Sequence, residues 1–120
     1  MTQQTYIQAI RHLYLQLPNT HHRFSRSDRQ LAAVLHQRGF SFDLVRSALL
    51  LATARRLVQD PAHPLPPVRS LHYFLPVVDE IQRQPLPPSY VQYLERKISS
   101  LSPAALPTMQ TGARSKNRVS

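Results

Sequence analysis

The sequence predicts an all-α protein: a compact bundle of four to five helices followed by a disordered C-terminal tail. Three observations carry that expectation. Apolar residues recur at three- and four-residue spacing over most of the chain. Eleven prolines punctuate it against only two glycines. The glycine-bearing turns that a β-sandwich or barrel needs every ~10 residues are therefore missing. With 120 residues, 42% of them hydrophobic, the chain is long enough for one core and too short for two ordinary ones. One helical domain is expected over residues 1–101 and a basic tail over 102–120.

The elements follow in order. From Thr2 to Leu17, the apolar residues Tyr6, Ile10, Leu13, Tyr14 and Leu17 line one side of a helix that Pro18 and Asn19 end. The next stretch, Thr20 to Arg29, is polar and basic around a single Phe24. Ser27, with Gln30 three residues on, gives a capping-box start for a second helix over about Asp28–Arg38. That helix turns Leu31, Val34 and Leu35 inward and Arg29, Gln30, Ala33, His36 and Gln37 outward. Gly39 fits the left-handed position that ends it, and Ser41 is a natural cap for a third helix from about Phe42 to Val58.

This third helix is apolar around nearly its whole circumference. Leu44, Val45, Ala48, Leu49, Leu50, Leu51, Ala52 and Leu57 leave only a narrow polar strip near Arg46 and Thr53. It belongs in the middle of the bundle. Asp60–Pro67 then forms a stiff, extended connector, because proline lacks an N–H and disfavours helix in the residue before it. A fourth segment puts Leu71, Leu75, Val78 and Ile81 on one side, and Pro76 kinks it or splits it into a turn and a helix. After a second stiff linker, Gln84–Pro88, Ser89 and Gln92 offer a capping box for a fifth helix carrying Val91, Leu94, Ile98 and Leu101. Beyond Ser102 there are few large apolar residues and no acidic one, so nothing offsets the entropy of ordering.

Composition narrows the chemistry. The absence of cysteine excludes disulfide frameworks, thiolate-bound zinc, iron–sulfur clusters and thiol catalysis. No run approaches the ~18 apolar residues of a membrane span, and the N-terminal stretch lacks the pattern of a secretion signal, so a soluble, cytoplasmic protein without membrane contact is expected. Fifteen Lys and Arg against six Asp and Glu give a formal charge of +9, which points to polyanionic partners. The excess sits in the first half of the chain and in the tail.

The candidate phosphate contacts are Arg23, Arg26 and Arg29, extended by Gln30, His36 and Arg38 of the second helix and by Arg114, Lys116 and Arg118 of the tail. Arginine and glutamine reach phosphates and base edges, and free N–H groups at a helix start favour an anion. The bland alternative is a solvated basic surface partly neutralised by Asp28. Val34, Gly39 and Val45 have spacings reminiscent of a helix-turn-helix DNA reader. A recognition helix needs a polar outward face, however, and the third helix has none. Arg55 and Arg56 are explained by the negative end of the third helix's macrodipole, or alternatively by a phosphate or carboxylate partner. In the run His72-Tyr73-Phe74 the expectation is core with one tyrosine at the rim rather than a platform for bases.

No metal or other cofactor is expected. The six histidines include no His-x3-His pair on a helix and have only Asp28 as a nearby carboxylate. Nor is an enzyme expected: Asp79 and Glu80 are the only neighbouring acids, and adjacent helical residues point about 100° apart. Two stretches, Arg26-Ser27-Asp28-Arg29-Gln30-Leu31-Ala32 and Arg69-Ser70-Leu71-His72-Tyr73-Phe74-Leu75-Pro76, resemble small bacterial helical proteins and helical modules found beside replication or integration genes of mobile elements. The resemblance implies a helical, helix-turn-helix-like fold and carries over no functional residue. The expected function is a non-enzymatic accessory protein that binds DNA or RNA through a basic helical surface. The alternative is an adaptor whose apolar third helix and proline-stiffened later helices dock a larger protein.

Overall fold

The first helix, α1 (Gln3–Gln16), starts where Thr2 accepts a hydrogen bond from the Thr5 amide at 3.1 Å. The expected stripe faces inward: Tyr6, Ile10, Tyr14 and Leu17 are fully buried and Leu13 partly so. Each such side chain contributes about 1.5–3 kcal/mol of apolar transfer. The computed structural model describes residues 1–18, 20–59 and 66–101. The expected disordered tail and most of the expected connector lie outside the described residues.

The second helix, α2 (Arg26–Gln37), begins two residues earlier than Ser27 and Gln30 suggest. Ser25 is its cap. The Ser25 hydroxyl accepts from the Asp28 amide at 3.1 Å, and the Asp28 carboxylate accepts from the Ser25 amide at 2.9 Å. The inward face differs to match: Asp28, Ala32 and Leu35 are buried, Leu31 is half-buried, and Val34 is exposed. The C-terminus is as expected. Gly39 has φ +84°, its amide donates to His36 O at 3.0 Å, and the Phe40 amide donates to Leu35 O at 3.1 Å. These are the two bonds of a Schellman turn.

Ser41 caps α3 (Phe42–Gln59), accepting from the Leu44 amide at 3.1 Å. This helix is the centre of the bundle, touching α1 on one side and α4 and α5 on the others, while α2 packs on α1 instead of lying along α3. Val45, Ala48, Leu49, Leu50, Leu51, Ala52 and Ala54 are all buried. The polar strip is partly covered too: Thr53 is buried, Ser47 donates to Asp43 O at 2.9 Å, and the half-buried Arg46 is ion-paired with Glu95 of α5.

Pro76 splits the fourth segment. A single 3-10 turn, Leu71–Phe74, leads into α4 (Leu75–Arg83), whose second residue is the proline, where the missing N–H costs nothing. The last helix, α5 (Pro88–Leu101), begins one residue before Ser89, so proline rather than a serine cap opens it. Val91, Leu94 and Ile98 seat it on α3. Among the described residues there is no strand, only an isolated parallel bridge between Thr20 and Val68, and no helix is long and apolar enough to cross a membrane.

Candidate nucleic-acid interface

Three features fix the segment between α1 and α2. His22 takes a left-handed backbone (φ +58°), which histidine tolerates better than most residues, and its Nδ1 lies 3.0 Å from Leu15 O. Phe24 inserts edge-on against Tyr14, 5.7 Å between ring centroids, and Tyr14 in turn meets Phe74 at 6.2 Å. The His21 amide donates to Val68 O at 3.0 Å. The backbone that carries Arg23 is therefore held from both sides.

Asp28 completes the arrangement. Its side chain lies on the buried face of α2, where Oδ1 accepts from the Leu71 amide at 2.9 Å and from the Ser70 hydroxyl at 3.3 Å while Oδ2 serves the Ser25 amide. At 1% exposure it is held by these donors and pairs with none of the neighbouring arginines among the described residues, while its charge still lies beneath the basic surface. It also joins the start of α2 to residues 68–71. Arg69, on the same short segment as Val68 and Ser70, is thereby brought to the end of the molecule that carries Arg23, Arg26 and Arg29. Nothing in the sequence around Arg69 marks it for this site. The signal that could have found it is the partner of Asp28, 43 residues away.

On α2 itself, Arg26, Arg29, Gln30 and Gln37 share the outer face, spaced three, four and seven residues apart, with Ala33 half-buried between them. His36, seven residues on from Arg29, is half-buried at the edge of that face. It turns toward α1, its ring 4.9 Å from Tyr6 at 60°, with Nε2 3.3 Å from Met1 O. Arg38 caps the opposite end of the helix with its guanidinium over the Phe40 ring at 5.9 Å. A helix of this length separates it from Arg26 by roughly 18 Å. The start of α2 is also less open to an anion than expected, because Ser25 and Asp28 already occupy its capping positions. Arg114, Lys116 and Arg118 lie outside the described residues.

The arginines of α3 and α4 are engaged. Arg55 forms a two-point pair with Glu80, at 2.9 and 2.7 Å, and Arg56 stacks on Tyr73 at 5.0 Å while donating to the Tyr73 hydroxyl at 3.0 Å and to Pro66 O. Specific partners, rather than the helix macrodipole alone, account for this pair. The Glu80 bond holds the Arg55 guanidinium above its usual range and lowers the Glu80 carboxyl. Asp79 pairs with Arg83. Among the described residues Arg23, Arg26, Arg29 and Arg69 have no ion-pair or hydrogen-bond partner for their side chains and are all exposed. The expected rim tyrosine is there as well: Phe74 is buried and Tyr73 exposed.

Comparison of the chain with protein-family models, with curated proteins and with solved structures found no match in any of the three. The resemblance to mobile-element helical proteins stands on its two sequence stretches alone.

Proposed function

We propose that this protein is a non-enzymatic nucleic-acid-binding accessory protein that holds a phosphate backbone against the start of α2. One observation carries the reading: four exposed arginines, Arg23, Arg26, Arg29 and Arg69, belong to segments tied together at one end of the bundle, with no carboxylate paired to them among the described residues, while Asp28 in their midst is buried on amide donors. Unpaired guanidiniums on a braced backbone suit multidentate phosphate contact. The four charges supply affinity and orientation rather than base readout, so binding depends steeply on salt and weakly on sequence. The adaptor alternative has less to stand on, because the apolar faces of α3 that it needs are covered by α1, α4 and α5.

The test is a salt titration with a labelled DNA duplex. Replacing Arg26, Arg29 and Arg69 by glutamine is expected to reduce the slope of log affinity against log salt by about 3 units, from roughly 0.9 per phosphate neutralised. Replacing Arg55 and Arg56, whose side chains are already engaged, serves as the control and leaves the slope unchanged. A triple variant that folds and binds like the parent would refute the assignment.

A further inference from the structure

Two of the exposed large side chains belong to α5. Tyr90 and Tyr93 stand one turn apart and stack on each other, 5.6 Å between centroids and 27° between planes, with 39% and 44% of their surface open. Tyr90 also borders a groove with Leu51, Arg55 and Leu86, so part of its ring is packed, and the rest of the pair lies open beside the stripe of Val91, Leu94 and Ile98 that faces the core. The charge around it has one sign. The nearby carboxylates are neutralised within the protein, Glu80 by Arg55 and Glu95 by Arg46, whereas Arg96 and Lys97, on the next turn, have no side-chain partner among the described residues. The helix thus presents two offset rings followed by two unpaired cations.

We propose that this face of α5 is a stacking platform for single-stranded nucleic acid, with bases laid on Tyr90 and Tyr93 and the adjoining phosphates on Arg96 and Lys97. The inference rests on the nucleic-acid reading above and extends it to a second surface and a strand type. Unpaired bases expose π-faces that a duplex keeps stacked, so aromatic rings beside cations select single strands without reading sequence. Nearly parallel rings 5.6 Å apart are offset, and more than a third of each side chain stays open to a stacking base. The Arg23 end and this face then differ in kind: the first takes any phosphate backbone, and the second needs splayed bases.

Three double variants test it: Tyr90→Phe with Tyr93→Phe, Tyr90→Leu with Tyr93→Leu, and Tyr90→Ala with Tyr93→Ala. Each is titrated by fluorescence anisotropy with a labelled oligothymidylate and with a duplex of equal length. The phenylalanine variant is expected to bind the single strand within twofold of the parent. The leucine and alanine variants are expected to lose about tenfold or more on the single strand and less than twofold on the duplex. Circular dichroism checks that all three are folded. Equal loss on both nucleic acids, or a leucine variant as good as phenylalanine, would overturn the stacking platform. If the parent binds duplex with the salt slope expected of the Arg23 end but no tyrosine variant changes single-strand affinity, this inference alone falls. If the parent binds neither nucleic acid at low salt, both readings fall together.

Discussion

Replacing Asp28 by alanine should be the most damaging single change on the surface-forming helix α2. The side chain accepts from the Ser25 amide, the Leu71 amide and the Ser70 hydroxyl, at 2.9, 2.9 and 3.3 Å, and is 1% exposed. Hydrogen bonds to a charged group contribute about 1.5–3 kcal/mol each, and an unmade buried one costs about 1–3 kcal/mol. The two amide bonds dominate, since the 3.3 Å hydroxyl contact is long. Because they share one carboxylate their losses do not add fully, and a total of about 3–5 kcal/mol follows. Against a stability of ~5–15 kcal/mol this is a large share. Asparagine keeps the shape but must turn its amide nitrogen toward one of the two backbone donors, so Asp28→Asn should fall between the parent and alanine. Urea denaturation followed by circular dichroism measures both. An alanine variant within about 1 kcal/mol of the parent would show that the carboxylate does not tie α2 to the Leu71–Phe74 turn, and with it would go the argument that brings Arg69 to the site.

Gly39→Val should cost on the order of 1–2 kcal/mol by thermal melt, whereas Gly39→Asn should cost less, because a Cβ there meets no atom and only the left-handed backbone opposes it. Tyr14→Phe should leave stability unchanged or raise it by up to about 1 kcal/mol, since among the described residues the buried Tyr6 and Tyr14 hydroxyls have no hydrogen-bond partner. The same burial raises both phenols from 10.0 to about 12, with the Asp28 charge adding to the effect at Tyr14. The neutral phenol is the folded form, so this contribution is complete below pH ~10 and is lost as pH climbs through about 12. Tyrosinate absorbance at 295 nm should therefore show a late step coincident with unfolding that Tyr6→Phe and Tyr14→Phe each diminish.

Much of the fold was legible because its determinants are local. Gly39 and Ser41 mark a helix end and a helix start through their own backbone and hydroxyl. Pro76 marks a kink or a helix start, and the second is what the fold adopts. Tyr6, Ile10, Tyr14 and Leu17 show their common face by spacing alone. The errors arise where the deciding contact is distant. Residues 25–30 contain two overlapping capping patterns, Ser25 with Asp28 and Ser27 with Gln30, and local propensity does not choose between them. What chooses is the Leu71 amide, which binds Asp28 from 43 residues away. Assigning Asp28 to solvent rotates the inferred core face of α2, which is why Val34 was expected inside and His36 outside. At the site, Arg23, Arg26 and Arg29 are visible as a cluster in sequence, whereas Arg69 joins them only through the tertiary tie. Tyr93 was legible in principle, since its spacing sets it well away from Val91, Leu94 and Ile98, whereas Tyr90, four residues before Leu94, flanks the buried stripe and shows its exposure only in the fold.

The central position of α3 also sets a schedule for the chain during its synthesis. The helix emerges with α1 and α2 already made, but α4 and α5, which cover its remaining apolar faces, follow only over the next ~40 residues, a delay of a few seconds at roughly 5–20 residues per second. Throughout that interval Leu49, Leu50 and Leu51 belong to a nascent chain that has nothing yet to cover all of them. A nascent chain whose α4 is still inside the exit tunnel would thus display a sticky half-bundle, so chaperone engagement should be strongest between emergence of α3 and emergence of α5.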